Sequence, residues 1–80
     1  CMLNEIQKKN LLDEARKDCS LTTCALSTKE IREIVNLVSK RQKPLDILDL
    51  TCNNINNDGA NHLAKLKNVK CLILRANDID

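Results

Sequence analysis

Aliphatic residues fall along this chain in two rhythms. Around Leu48 and Leu50 they alternate with polar ones, as in a strand with one face buried. Ile31, Ile34, Val35 and Val38 instead recur at i, i+3, i+4 and i+7, the spacing of an amphipathic helix. The two rhythms predict strands near residues 18–22, 46–51 and 70–75, and helices near 28–41 and 58–66. Residues 2–16 read as a further helix, with Leu3, Ile6, Leu11 or Leu12, and Ala15 at roughly helical spacing. Its plainer role is to cover one end of the core; the sharper one is an amphipathic helix that binds a partner.

Punctuation residues sharpen these bounds. Ser27 followed by Glu30 has the form of a capping box, in which hydroxyl and carboxylate satisfy each other's backbone amides. Lys40 and Arg41 suit the negative end of the helix dipole, and Pro44 stops the helix and biases Lys43 toward an extended conformation. Asn53 to Asn57 is a turn, after which Asn57 or Asp58 can cap the next helix. Gly59, inside that helix, costs up to about 1 kcal/mol against Ala, so its presence predicts close packing on the strand layer.

The strands belong to a larger periodicity. Residues 45–55 and 69–79 both read LxxLxLxxNxI, 24 residues apart, with Val69 in place of the first leucine. An earlier unit can be aligned in two ways. A shift of 24 places Lys29 on Asn53, a poor match. A shift of 29 places Cys19, Leu21, Cys24 and Leu26 on Leu48, Leu50, Asn53 and Ile55, and it carries the helix positions along as well. The second is adopted. It sets Cys24 where the other units carry asparagine, and it makes the connection from Ser39 to Pro44 longer than its counterpart.

Strand followed by helix, repeated, demands parallel strands, since each helix returns the chain over one face. Leu48, Leu50, Leu72 and Leu74 then point between sheet and helices, where Leu63, Ala64 and Leu66 meet them and Ile55 and Ile79 close the core. Asn53 sits where the backbone leaves the strand, and its amide can both donate to and accept from turn groups that the sheet no longer pairs.

These residues resemble leucine-rich repeats of the ribonuclease-inhibitor-like kind. Gly59, Ala60, Leu63 and Ala64 are similar to the GAxxLA helix of the GALA repeats of bacterial effectors. Cys24 to Ser27 resembles the cysteine-type variant of such repeats. The resemblance covers residues 18–80 and implies an α/β fold. It would be a short right-handed β-α superhelix, an arc with parallel strands inside and helices outside. Residues 1–17 would form an N-terminal capping helix and 18–80 about two and a half repeats.

Composition narrows the function. Thirteen Lys and Arg against eleven Asp and Glu leave a formal charge of +2, too even to imply nucleic acid or a membrane surface. There is no Phe, Tyr or Trp on which bases could stack. Apolar runs reach only three or four residues, so no transmembrane segment is expected. Five cysteines (1, 19, 24, 52 and 71), odd in number and irregularly spaced, fit an intracellular, reducing compartment better than a disulfide scaffold. That compartment is the cytoplasm, or the host cytoplasm for a secreted effector. The cysteines and His62 do not converge as zinc ligands in the repeat frame, no base is held beside a cysteine, and Gly59 is the sole glycine, so no phosphate loop exists. No enzyme activity, cofactor or metal is expected.

What remains is a surface. The residues alternating with the leucines would face the concave side: Ser20, Thr22, Ile47, Asp49, Thr51, Cys71, Ile73 and Arg75. The resemblance makes that side the recognition face. The expected function is a non-catalytic protein–protein interaction scaffold, the N-terminal part of a longer leucine-rich-repeat protein. The alternative is the substrate-recruiting region of a bacterial effector acting with a host ubiquitin ligase, although residues 1–26 show no F-box-like leucine- and proline-rich segment. The last strand would also offer an unpaired edge through which copies could self-associate.

Overall fold

The computed structural model describes residues 3–79, so Cys1, Met2 and Asp80, and the start of the helix expected from residue 2, lie outside the described residues. The order is α1 (Glu5–Leu12), β1 (Asp18–Ser20), α2 (Thr28–Ser39), β2 (Leu45–Asp49), α3 (Asn57–Leu63) and β3 (Val69–Ile73). The strands form one parallel sheet in the order β1-β2-β3, the topology that alternating strands and helices require.

The register is 29 residues between β1 and β2, with Cys19 opposite Leu48, and 24 between β2 and β3, with Leu48 opposite Leu72. The longer connection expected between Ser39 and Pro44 is not found. Five residues join α2 to β2 and five join α3 to β3. The difference lies in the helices: α2 has 12 residues and α3 has 7, which accounts for the change of register from 29 to 24.

One face of the sheet carries the core. Leu48 and Leu50 of β2 and its exit are fully buried, in one cluster with Cys19, Leu21, Ile31, Ile34, Val38, Ile55 and Leu63. Leu72, Leu74 and Ile79 are only half-buried at its margin, because β3 has no described neighbour on its outer side. Ala64, expected in the core, is exposed: it falls just past the last turn of α3.

The helix ends follow local chemistry. Ser27 and Glu30 complete the capping box at α2, and Asn4 and Gln7 form another at α1. At α3 the cap is Asn56, one residue before the expected Asn57 or Asp58, with its side chain taking the Gly59 amide at 3.0 Å. Gly59 is buried, and a Cβ added there would meet Ile55 and Asn56 of the preceding turn and Ile31 of α2. The packing that excludes a side chain is therefore with a turn and a helix, not with the strand layer.

α1 is shorter than expected. Leu3 and Leu11 are buried, but Ile6 is 71% exposed and Ala15 lies beyond the helix end, so the apolar stripe supports only two turns. Lys8 ties α1 to α2 through Glu33 at 3.3 Å, and that partner first, then Glu5, raises its pKa from the ordinary value.

Arg41 does more than complement a dipole. α2 ends at Ser39, and the Arg41 side chain turns inward until the residue is 6% exposed. Its Nη1 donates to the carbonyls of Leu11 (3.1 Å) and Asp13 (2.6 Å), Nη2 to that of Arg16 (2.6 Å), and Nε to that of Lys43 (3.1 Å). A rigid five-donor fork suits such a cluster of acceptors, which are otherwise carbonyls left over by a helix end and its loop. Glu14 returns the contact by accepting from the Gln42 and Lys43 amides at 2.8 and 3.0 Å.

Candidate protein-binding face

Beyond each strand the chain makes the same sharp exit. Thr23, Cys52 and Ala76 have φ of 55°, 61° and 56°, in the left-handed region that non-glycine residues rarely adopt. Each precedes the residue that anchors the turn: Cys24, Asn53 and Asn77.

The asparagines hold these strained turns together. Asn53 is fully buried, and its Oδ1 accepts the Cys24 amide at 2.8 Å. Its Nδ2 donates to the carbonyls of Leu21, Leu50 and Thr51 at 2.8, 2.9 and 3.3 Å. Asn77 repeats the arrangement one unit on. Its Oδ1 accepts from the amides of Asn53 (2.8 Å) and Ile55 (2.9 Å), while Nδ2 donates to the carbonyls of Leu50, Leu74 and Arg75. Each carboxamide therefore bonds both its own turn and the preceding one. Cys24 cannot copy this. Its Sγ donates to the Thr22 carbonyl at 3.4 Å and accepts from Gln7 Nε2 at 3.7 Å, both weak contacts.

With the turns fixed, the face opposite the core is ordered in rows. Asp18, Ile47 and Cys71 are in register, as are Ser20, Asp49 and Ile73. Backbone bonds from Thr23 to Thr51 and from Cys52 to Arg75 bring Thr22, Thr51 and Arg75 into a third row. Strand spacing makes this face about 10 Å wide and about 13 Å along the strands. No described element covers it. Ser20, Thr22, Ile47, Cys71 and Arg75 are exposed; Asp49, Thr51 and Ile73 are half-buried. Asp49 Oδ1 accepts from both the amide and the hydroxyl of Thr51, at 3.0 and 2.6 Å, which orients the pair.

All eight residues expected on this face share it. Asp18 was missed, although the alternation that selects Ser20 also reaches it, two positions earlier.

The four described cysteines are free, and they divide by environment. Cys19 is in the core, where burial pushes its thiol up from the ordinary pKa against the opposing charges of Arg16 and Arg41. Cys52 and Cys71 are exposed. Among the described residues no three His, Cys, Asp or Glu side chains gather where they could hold a metal ion, and no helix is long and apolar enough to cross a membrane.

Comparison of the chain with protein-family models, with curated proteins and with solved structures finds no match in any of the three.

Proposed function

We propose that this chain is a non-catalytic protein-binding segment of the leucine-rich-repeat type, with residues 18–79 stacking as successive β-α units of a right-handed superhelix. The observation that carries the reading is the open sheet face, where Ile47 and Ile73 stand beside Arg75 on a surface that no described element covers. Binding energy concentrates in a few interface residues, and arginine is one of the types enriched among them. The ladder from Cys24 through Asn53 to Asn77 supports it too, since it holds the strand exits at a constant step and so presents a rigid surface. The chain acts in a reducing, intracellular compartment, in keeping with its free thiols.

Cys71 lies on the face and offers a direct test. In a Cys1→Ser/Cys24→Ser/Cys52→Ser background, a thiol-directed photocrosslinker on Cys71 should capture a discrete protein from lysate of the source cells. The double variant Ile47→Asp/Ile73→Asp, checked for unchanged folding, should lose it. Equal capture by the well-folded double variant would overturn the proposal.

A further inference from the structure

At the other end of the strands from the asparagine turns, an open cleft of about 350 Å³ runs past the starts of β1, β2 and β3. Its walls carry Arg16, Lys17, Lys43 and Lys70, against Glu14 and Asp46. Neither carboxylate is free to neutralise the rest. Asp46 is paired with Lys70 at 3.5 Å, and Glu14 is seated on the Gln42 and Lys43 amides. Among the described residues the side chains of Arg16, Lys17 and Lys43 meet no carboxylate. Behind them the buried Arg41 guanidinium is bonded only to carbonyls, so its charge adds to the same end. The chain as a whole has a formal charge of only +2, so the cationic excess is concentrated here.

Glu14 shows which anion this end accepts. Its carboxylate spans two successive backbone amides with the Arg41 and Lys43 charges nearby, and these contacts hold its pKa below the usual carboxylate range. A nucleic acid fits less well. The molecule has no Phe, Tyr or Trp on which bases could stack.

We propose that this cleft binds side-chain carboxylates of an acidic protein segment, with Arg16, Lys17 and Lys43 as the receiving cations. It is a separate surface from the sheet face, so either proposal can fail alone.

Fluorescence anisotropy with a labelled peptide of ten glutamates, in about 0.1 M salt where charges are screened over about 10 Å, tests it. The peptide should bind, and more weakly as salt rises. Lys17→Glu/Lys43→Glu should weaken binding about tenfold or more, because two attractive charges become repulsive. Both side chains are exposed. Because the Lys43 charge lies near Glu14, folding of the variant is checked by its urea midpoint. Lys17→Glu alone, away from that contact, should also weaken binding. Lys29→Glu/Lys65→Glu makes the same charge change elsewhere on the surface and should bind as the parent does. Absence of binding, equal losses in the two double variants, or equal or tighter binding of a ten-nucleotide thymidine strand would each overturn the proposal.

Discussion

The amide of Cys24 donates to the side-chain oxygen of Asn53 at 2.8 Å across 29 residues of sequence, and this bond joins the first strand exit to the second. Asn53 is wholly enclosed, so replacing it exposes no group to water; it strands several. Asn53→Ala leaves the Cys24 amide and the Leu21 carbonyl short of partners, at about 1–3 kcal/mol for each buried group, while the Leu50 carbonyl keeps its bond from Asn77 Nδ2. The expected loss is about 3 kcal/mol or more by urea unfolding. Asn53→Asp should also be severe, since a carboxylate keeps the acceptor and loses both donors. Cys24→Ala should cost about 1 kcal/mol or less, given its weak sulfur bonds. The reverse order would refute the ladder as a source of stability.

The two sides of the sheet should respond very differently to truncation. Leu50 is completely buried, and Leu50→Ala should cost about 2–5 kcal/mol. Ile73 on the open face is half-exposed, and Ile73→Ala should cost about 1 kcal/mol or less. Thermal or urea midpoints of the two variants compare them directly.

Arg41→Ala removes the shared donor of the Leu11, Asp13, Arg16 and Lys43 carbonyls. Hydrogen bonds to a charged group contribute about 1.5–3 kcal/mol each when buried, so a loss of about 3 kcal/mol or more is expected. Arg41→Lys should recover little, because an ammonium cannot span the fork. Limited proteolysis should find new cleavage between residues 13 and 17 in both variants.

Gly59→Ala sets two effects against each other. Helix propensity favours alanine by about 1 kcal/mol. The added Cβ, however, would come within 2.9 Å of Ile55 Cγ2, a methyl on a buried, branched side chain with little room to yield. Overpacking of this kind costs about 1–3 kcal/mol, so a net destabilisation of about 1 kcal/mol is expected. A stabilised variant would show that the turn can give way.

Acid should weaken the molecule through two carboxylates. Glu30 accepts from the Ser27 and Leu3 amides, and Glu14 from those of Gln42 and Lys43; these bonds lower both pKa values in the folded state. The unfolded chain binds protons at higher pH than the folded one, so their contribution is full above the ordinary carboxylate range. It is lost as the pH falls through the lowered folded values. Urea midpoints measured from pH 7 down to about pH 3 should decline, and Glu14→Gln/Glu30→Gln should flatten that decline.

Much of this fold is legible in the chain because the faces of β2 and α2 are written in simple periods. Leu48 and Leu50 against Ile47 and Asp49, and Ile31, Ile34 and Val38, sort into buried and exposed positions from spacing alone. The match of Cys24 to Asn53 is readable for the same reason. Arg41 is not, since nothing in its neighbours distinguishes a side chain paired with a dipole from one folded back onto carbonyls 25 to 30 residues earlier. Three of the left-handed residues are equally hidden: Thr23, Cys52 and Ala76 are neither glycine nor asparagine, and the strain is sustained by bonds from neighbours. The basic cleft assembles two loops and the starts of β2 and β3, and Arg16, Lys17 and Lys43 look like ordinary solvated charges until the strand starts are brought side by side.

The five extra residues of α2 lengthen a helix by about 7.5 Å at 1.5 Å per residue, yet they leave strand pairing and both turns unchanged. The outer layer thus behaves as a spacer whose length is set independently of the sheet. Helices of 12 and 7 residues fit between connections of equal length, while the parallel pairing of the inner sheet is kept. A change of one helical turn in α2 would nevertheless carry a distinct penalty, for it is this longer helix that delivers Arg41 to the carbonyls of the N-terminal segment.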